Sequence, residues 1–482
     1  MRSPSGLAII ITLMLLVDFY IFQGLKTVSN PVSAKAKIII YAIFWAFSLL
    51  SIIGLVVFVN TDAQFMGKKT RTYLFAIIMG LFLAKLCAVV FLVIDDLRRG
   101  IQWLASRIFF KDTEAADFVG DKISRSAFLS WMGFAAGGTL FSSMVYGFSN
   151  KYKYQVKKIK LQFSNLPINF KGFKIVQISD IHSGSFTNKN AVAHAVDLVL
   201  SQQADIILFT GDLINDRADE MQEYIDVFSR LKAPMGVYST LGNHDYGDYV
   251  QWPINGISKS QNLENLKKVH AQLGWRLLMN EHVSLDKNGQ QIALLGIENW
   301  SNKARFPKHG RMDLAYANTE KYPFKILMSH DPSHWDAEVI PQYGDIDLML
   351  SGHTHGMQFG VEIPGFKWSP VQYIYKQWAG LYENKNQKLY VNRGFGFIGY
   401  PGRVGILPEI TVIELAEKKA ILQAFFFKLL KHRFYIIFCI FSFCLYNFIK
   451  GRFKQRGNPV LISFGNCIKK YHDVINTFFY KT

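Results

Sequence analysis

The sequence predicts an α/β domain carried behind a set of membrane-spanning helices. Three observations lead there. The first 150 residues hold four long apolar runs. From Val156 to about Leu415 the texture changes to short β-rich runs alternating with polar, helix-like stretches. Five of those β-rich runs end in Asp, His or Asn. The bulk composition agrees with a lipid-associated chain: 50% of the 482 residues are hydrophobic and 19% are charged, where soluble domains carry about 25% charged residues. A disordered, collagen-like or low-complexity chain is excluded on the same grounds.

The four apolar runs are Leu7–Leu25, Ile38–Val59, Tyr73–Ile94 and Phe128–Phe148, each near the ~20 residues that a span requires. They define a transmembrane region over residues 1–150. Asp18 lies in the first run and Lys85 in the third. Opposite charges at membrane depth are costly unless they meet or reach the interface, so the two are expected to pair between helices or to snorkel. Basic residues flank both sides of the runs almost equally, and charge asymmetry assigns no orientation. The segment Ser124-Arg125-Ser126-Ala127-Phe128-Leu129 is similar to a twin-arginine export signal with one arginine missing. It places the domain that follows outside the cytoplasm, in a multi-pass protein of the cell membrane.

Strands are expected at Ile159–Phe163, Phe173–Ser179, Ile206–Thr210, Gly236–Leu241, Ile292–Ile297, Phe324–Ser329, Leu348–Ser351, Leu389–Asn392 and Ile410–Leu415. Most are continuously apolar, as in sheets covered on both faces. Helices are expected at Asn190–Gln203 and Asp219–Lys232. Residues 151–417 therefore form one α/β sandwich domain. Residues 418–482 make a basic, Phe-rich tail, read as a fifth membrane segment or a non-homologous extension. The formal net charge of +18 would ordinarily point to nucleic acid. Its distribution does not: the tail holds twelve Lys and Arg against the single acid Asp473, which is +11 of the total. No nucleic-acid partner is expected. The four cysteines, Cys87, Cys439, Cys444 and Cys467, all fall outside residues 151–417, which excludes a disulfide framework or a cysteine metal site there.

The chemistry gathers at strand ends. Phe173–Ser179 runs into Asp180-Ile181-His182, and Ile206–Thr210 into Gly211-Asp212. Gly236–Leu241 runs into Gly242-Asn243-His244-Asp245, Phe324–Ser329 into His330-Asp331, and Leu348–Ser351 into Gly352-His353-Thr354-His355. Ligands of open α/β sheets bind beyond the carboxyl ends of strands. Asp-x-His and His-x-His put both side chains on one side of an extended segment, and the glycines let the backbone turn and approach closely. The nitrogen and oxygen mix suits Mn, Fe or Zn. A carboxylate shared by two ions gives the two-metal geometry of phosphoester hydrolysis.

This ordered set resembles the calcineurin-like metallophosphoesterase superfamily, in its membrane-anchored bacterial branch, over about residues 159–415. The resemblance implies a four-layer β-sandwich flanked by helices and two divalent transition-metal ions. It assigns one ion to Asp180, His182 and His355, the other to Asn243, His330 and His353, and the bridge to Asp212. His244 becomes the catalytic acid, oriented by Asp245, and a metal-bridging hydroxide the nucleophile. The implied activity is hydrolysis of a phosphomonoester or phosphodiester, with a lipid phosphate as one candidate substrate. A nucleotide or protein phosphatase, or a non-catalytic metal-binding scaffold, stays open at this stage. Asn215 stands where many members have Asp, and Met357 where many of the membrane branch have Gly. Arg393, in Arg393-Gly394-Phe395-Gly396, is a candidate contact for substrate phosphate. The aromatic stretch Phe366–Leu381 is read as one wall of an apolar pocket or as packing beneath a loop.

Overall fold

The computed structural model describes residues 4–61, 66–109 and 125–418. The tail beyond residue 418 lies outside the described residues, and so does Ser124 of the export-like segment. The four apolar runs form α1 (Pro4–Val28), α2 (Ala34–Asn60), α3 (Lys68–Phe109) and α4 (Arg125–Gly147). Each is long and apolar enough to cross a membrane. Helix α3 exceeds its apolar run: 42 residues at ~1.5 Å each reach about 63 Å, twice a hydrocarbon core. Its last turns carry Asp95, Asp96, Arg98 and Arg99, and Arg98 bonds Asp95 at 2.7 Å. Such i,i+3 pairs let the helix run on past the apolar stretch. Asp18 and Lys85 meet as expected, at 2.5 Å, and Ser48 accepts a further bond from Lys85 at 3.0 Å. Small residues let helices approach closely: Gly133 and Gly137 of α4 lie directly on the backbone of Ala88 and Ala84 in α3.

After α4 come two six-stranded sheets. The first has the order β1 (Gln155–Phe163), β14 (Glu409–Glu417), β2 (Lys174–Ile178), β3 (Ile206–Phe209), β4 (Val237–Ser239) and β5 (Arg276–Leu277). The second has the order β12 (Gly380–Asn384), β13 (Gln387–Val391), β9 (Leu348–Ser351), β8 (Lys325–Met328), β7 (Gln290–Gly296) and β6 (Glu281–Lys287). Their facing sides share one apolar core that includes Ile175, Ile206, Leu208, Leu294, Ile326, Met328, Leu348 and Ile413. The outer face of the first sheet is covered by α5 (Lys189–Leu200) and α6 (Lys259–Gln272), through Val192, Val196, Leu266 and Val269. The outer face of the second packs on Trp335, Val339 and Ile346. Strand β14 pairs parallel to β1 and antiparallel to β2. The parallel ladders β2–β3–β4 and β7–β8–β9–β13 send their carboxyl ends to a common edge.

All nine expected strands are present. The polar helix α6 and the β6–β7 hairpin were absent from the sequence reading. Asn288-Gly289 between β6 and β7 is a strong short-range hairpin signal. Asp219–Lys232 is less helical than expected: it holds a short turn of 3₁₀ helix at Ala218–Met221 and a single α-turn at Ile225–Phe228. Tyr224, between them, has φ −119° and ψ 0° and breaks the run.

Candidate metal centre

The loops that leave β2, β3, β4, β8 and β9 converge at the common edge. Asp180, His182 and His355 present ligand atoms all within 4.8 Å of one another, and Asp212, His330 and His353 form a second such group. Asp212 stands between the two. Its Oδ2 is 3.5 Å from His182 Nε2 and 3.1 Å from His330 Nε2. Asn243 joins the second group through Oδ1, 2.7 Å from His353 Nδ1. All seven predicted ligands thus come to one site, and every one is buried except the partly exposed His353.

The backbone at this edge differs from the extended geometry that the Asp-x-His and His-x-His spacing implied. Asp180, His182, Asp212, His353 and His355 have φ of 53°, 48°, 62°, 71° and 50°. Non-glycine residues in the left-handed region cost free energy and cluster at functional sites. The side chains converge because the chain coils back at each strand end. Gly211, at φ 97°, makes that turn before Asp212. Gly352 has a different duty: a Cβ there would collide with Ser179 Oγ and Asp180 Oδ2. Gly352→Ala is expected to push the Asp180 carboxylate out of place, at the about 1–3 kcal/mol typical of overpacking. Elemental analysis should then find fewer bound ions per chain than in the parent, with activity falling in step.

The donor set fits cations. His330 Nδ1 donates to the Thr210 carbonyl at 2.7 Å. Its Nε2 faces the Asp212 carboxylate at 3.1 Å, a contact that needs positive charge between the two, supplied by an ion or, without one, by a proton on the ring. His182 Nε2 and His355 Nε2 face each other at 3.0 Å, with Asp180 Oδ1 3.3 Å from the latter. Titration follows the same crowding. Burial, aided by the nearby Asp212 charge, raises the Asp180 carboxyl to about 7. Burial lowers His182 to about 3 and His353 to about 4, which keeps these rings neutral and able to ligate. Burial would lower His330 too, but the Asp212 and Asp180 carboxylates bring it up to about 10.

Asp245 does not orient His244. Its carboxylate is fully buried and accepts the N–H groups of Gly242 (2.8 Å), Asp212 (2.9 Å) and Leu213 (2.8 Å). Asn243 and the 3₁₀ turn His244–Tyr246 send successive side chains in different directions, so Asp245 points back beneath the site. It clasps the two ligand loops together. His244 is instead held by the Asn215 carbonyl, which accepts from Nδ1 at 2.7 Å. Its own N–H donates to Asp212 Oδ1 at 2.8 Å, and its ring stacks on Tyr249 at 4.4 Å. Asn215 acts here through its backbone, which explains why its side chain can differ from Asp.

Arg393 is not presented to substrate either. It is 4% exposed, and its guanidinium bonds Glu409 at 2.5 Å and Glu362 at 2.7 Å. Burial opposes the charge, but Glu409, Tyr390 and Glu362 secure it. The two glutamates are 16 and 31 residues away in sequence, beyond the reach of a local motif. The cation that does line the site is Arg305, together with Phe306, Tyr249, Tyr375 and Ile374, around a cleft of about 380 Å³ that includes His182, Asp212 and His244. Sequence reading missed it, because Arg305 lies in an irregular loop remote from the motifs. Of the aromatic stretch Phe366–Leu381, only Val371, Ile374 and Tyr375 wall the cleft on this side. The Tyr375 hydroxyl lies 2.7 Å from His353 Nε2 and 3.2 Å from Asp331.

Comparison with known proteins follows the same division of the chain. Residues 1–151 match the family described as "Probable Calcineurin-like phosphoesterase, transmembrane domain". Residues 173–357 match "Calcineurin-like phosphoesterase". The chain is 29% identical over 283 residues to the Danio rerio "Transmembrane protein with metallophosphoesterase domain", covering 57% of this chain and 60% of that one. It is 29% identical over 304 residues to the Bacillus subtilis "Uncharacterized metallophosphoesterase YkuE", covering 61% and 98%. It is 27% identical over 302 residues to the Escherichia coli "Phosphodiesterase YaeI", covering 61% and 99%. The chain thus spans three fifths of the Danio rerio relative and nearly the whole of the two bacterial ones. With both parts matched and the strand-end residues gathered in one cleft, the chain belongs to the calcineurin-like metallophosphoesterases, in the branch that carries a four-helix transmembrane region.

Proposed function

We propose that this chain is a membrane-bound hydrolase of phosphoric esters, dependent on two divalent transition-metal ions (Mn, Fe or Zn). Its substrate is a phosphomonoester or phosphodiester carried on a lipid. Residues 1–150 serve as the anchor and residues 151–417 as the catalytic domain, held outside the cytoplasm as the Ser124–Leu129 segment implies. The observation that carries the reading is Asp212, a single carboxylate within 3.5 Å of imidazoles from both ligand groups, with His244 bonded to it.

Asp180, His182 and His355 would hold one ion, Asn243, His330 and His353 the other, and Asp212 would serve both. Such ions supply Lewis-acid polarisation of the phosphoryl group and activation of the attacking water. Arg305, on the cleft wall, is placed to take a phosphoryl oxygen. His244 has its Nδ1–H committed to the Asn215 carbonyl, so it is the Nε2–H of the protonated ring that gives a proton to the departing oxygen, leaving the neutral imidazole. The apolar cleft walls and the attached spans favour a lipid-borne ester.

The test uses the full chain in proteoliposomes, stripped with a chelator and reloaded with Mn, Fe or Zn singly. Nitrophenyl phosphate, a nitrophenyl diester, phosphatidic acid and phosphatidylglycerol serve as substrates. Hydrolysis should vanish on stripping and return on reloading, with a lipid among the substrates cleaved. Hydrolysis that survives complete removal of metal would sink the assignment.

A further inference from the structure

The cleft mouth carries an apolar surface that extends beyond the cleft walls on which the hydrolase reading draws. Met357 is 49% exposed, Ile363 58%, Phe366 54%, Tyr373 76% and Ile374 50%. They come from one stretch: the turn after His355, the hairpin β10–β11 (Val361–Ile363 and Phe366–Trp368) and the 3₁₀ turn Pro370–Tyr373 with Ile374 behind it. Met357 and Ile374 also line the catalytic cleft, so the patch runs into the site. Clustered apolar exposure of this kind marks an interaction surface.

Hydrogen bonds tie the patch to the end of the fourth span. The Arg403 N–H donates to the Gly147 carbonyl, the last residue of α4, at 2.9 Å, and Asn150 donates to the Arg403 carbonyl at 3.2 Å. Val404 and Gly360, next to β10, bond each other at 2.9 Å, and the Val404 N–H reaches the Gln358 carbonyl at 2.8 Å. Gln358 in turn donates to the carbonyls of Tyr400 and Gly402, at 2.7 Å and 3.1 Å. The Tyr400 hydroxyl bonds the Met144 carbonyl inside α4. The rings of Tyr73, Phe148 and Tyr400 pack in series, Tyr73 edge-on to Phe148 at 5.0 Å and Tyr400 tilted against Phe148 at 5.6 Å, with Lys151 over Tyr73. Tyrosine beside lysine at a span's end is the usual mark of the headgroup level. One of those rings belongs to the catalytic domain, and the hairpin leaves the same loop network.

We infer that the β10–β11 hairpin and the Tyr373–Ile374 turn seat in the bilayer surface, with Met357 at the edge of the contact, so that the catalytic cleft opens onto lipid headgroups. The occupant is the bilayer. The patch is tied by the Gly360–Val404 and Gln358 bonds to the loop that meets the end of α4, and Lys367 and Lys376 beside the turn are exposed, while Glu362 of the hairpin is neutralised by Arg393 and Lys157. Lysines beside apolar side chains suit an anionic headgroup layer, with insertion about 5–10 Å deep. This inference rests on the hydrolase reading only for its functional consequence; the docking itself does not require activity.

The experiment measures depth. Single cysteines replace Ile363, Tyr373 and, as a control at the start of β7, Gln291, in the full chain with its four native cysteines changed to serine. Each is labelled with an environment-sensitive fluorophore in vesicles of 3:1 phosphatidylcholine and phosphatidylglycerol. Nitroxide-bearing lipids should quench the labels at 363 and 373 strongly and leave the label at 291 untouched. Equal quenching at all three positions, or none at 363 and 373, would overturn the inference. A second measurement uses Ile363→Asp with Phe366→Asp, two exposed positions. Turnover of a vesicle-borne phospholipid should fall by about tenfold, the loss of an interfacial anchor, while soluble nitrophenyl phosphate is hydrolysed at the parent rate. An equal change on both substrates would count against docking. A parent chain that hydrolyses nothing would defeat the hydrolase reading and leave the quenching result to decide the docking.

Discussion

Asp212→Asn is expected to remove nearly all hydrolysis, well beyond the ~10–100-fold loss seen when a residue merely supporting a metal ligand is changed. The reason is position. One carboxylate oxygen faces His182 at 3.5 Å and His330 at 3.1 Å, while the other accepts the His244 N–H at 2.8 Å. Asparagine has the same shape and can still accept that N–H, so the loop should stay in place. What it removes is the negative charge common to both groups, and an amide N–H would point at nitrogens meant for ions. Elemental analysis should show reduced occupancy, and the thermal stabilisation by added Mn should shrink, since a ligand that binds only the folded state stabilises it in proportion to its affinity. Parent-level metal together with parent-level rate would show that Asp212 is not shared.

The second large effect is at His244. His244→Asn or His244→Ala should keep both ions and lose ~10²–10⁴-fold in rate, the usual share of a general acid. That is about 3–5 kcal/mol at ~1.4 per decade. The geometry sharpens the expectation. Nδ1 is bound to the Asn215 carbonyl, so one nitrogen is fixed and only Nε2 is free to exchange a proton. The loss should therefore shrink for nitrophenyl esters, whose leaving oxygens need little protonation, and be full for alkyl esters. An equal loss for both would move His244 from proton donor to substrate holder. Loss of metal in the variant would make it a ligand instead.

The sheets and the seven residues at their edge were legible because two independent signals coincide there. Continuous apolar runs located the strands, and Asp, His and Asn are conspicuous immediately after them. What stayed hidden depended on direction or on distance in sequence. Asp245 follows His244, yet it points beneath the site into four backbone N–H groups. Neighbours in a tight turn diverge, so adjacency in sequence says little about contact. Arg393 read as a loop cation until Glu362 and Glu409, on other elements, were seen to enclose it. Arg305 had no motif around it at all. Helix α6 escaped for a different reason: Leu266 and Val269 supply its buried face within an otherwise polar run, too narrow a stripe to outweigh the lysines and asparagines around it.

The five candidate ligands held at positive φ have a consequence for how the protein can change. Each such conformation costs of order 1–3 kcal/mol when the residue is not glycine. A search for thermostable variants that scored folding alone would be drawn to Asp180, His182, Asp212, His353 and His355, where glycine or asparagine relieves the backbone at once. Those substitutions would also empty the site. The edge that gives the chain its chemistry is therefore the edge where selection for stability and selection for catalysis pull in opposite directions. Its aspartates and histidines persist there only as long as hydrolysis is worth more to the cell than a firmer fold.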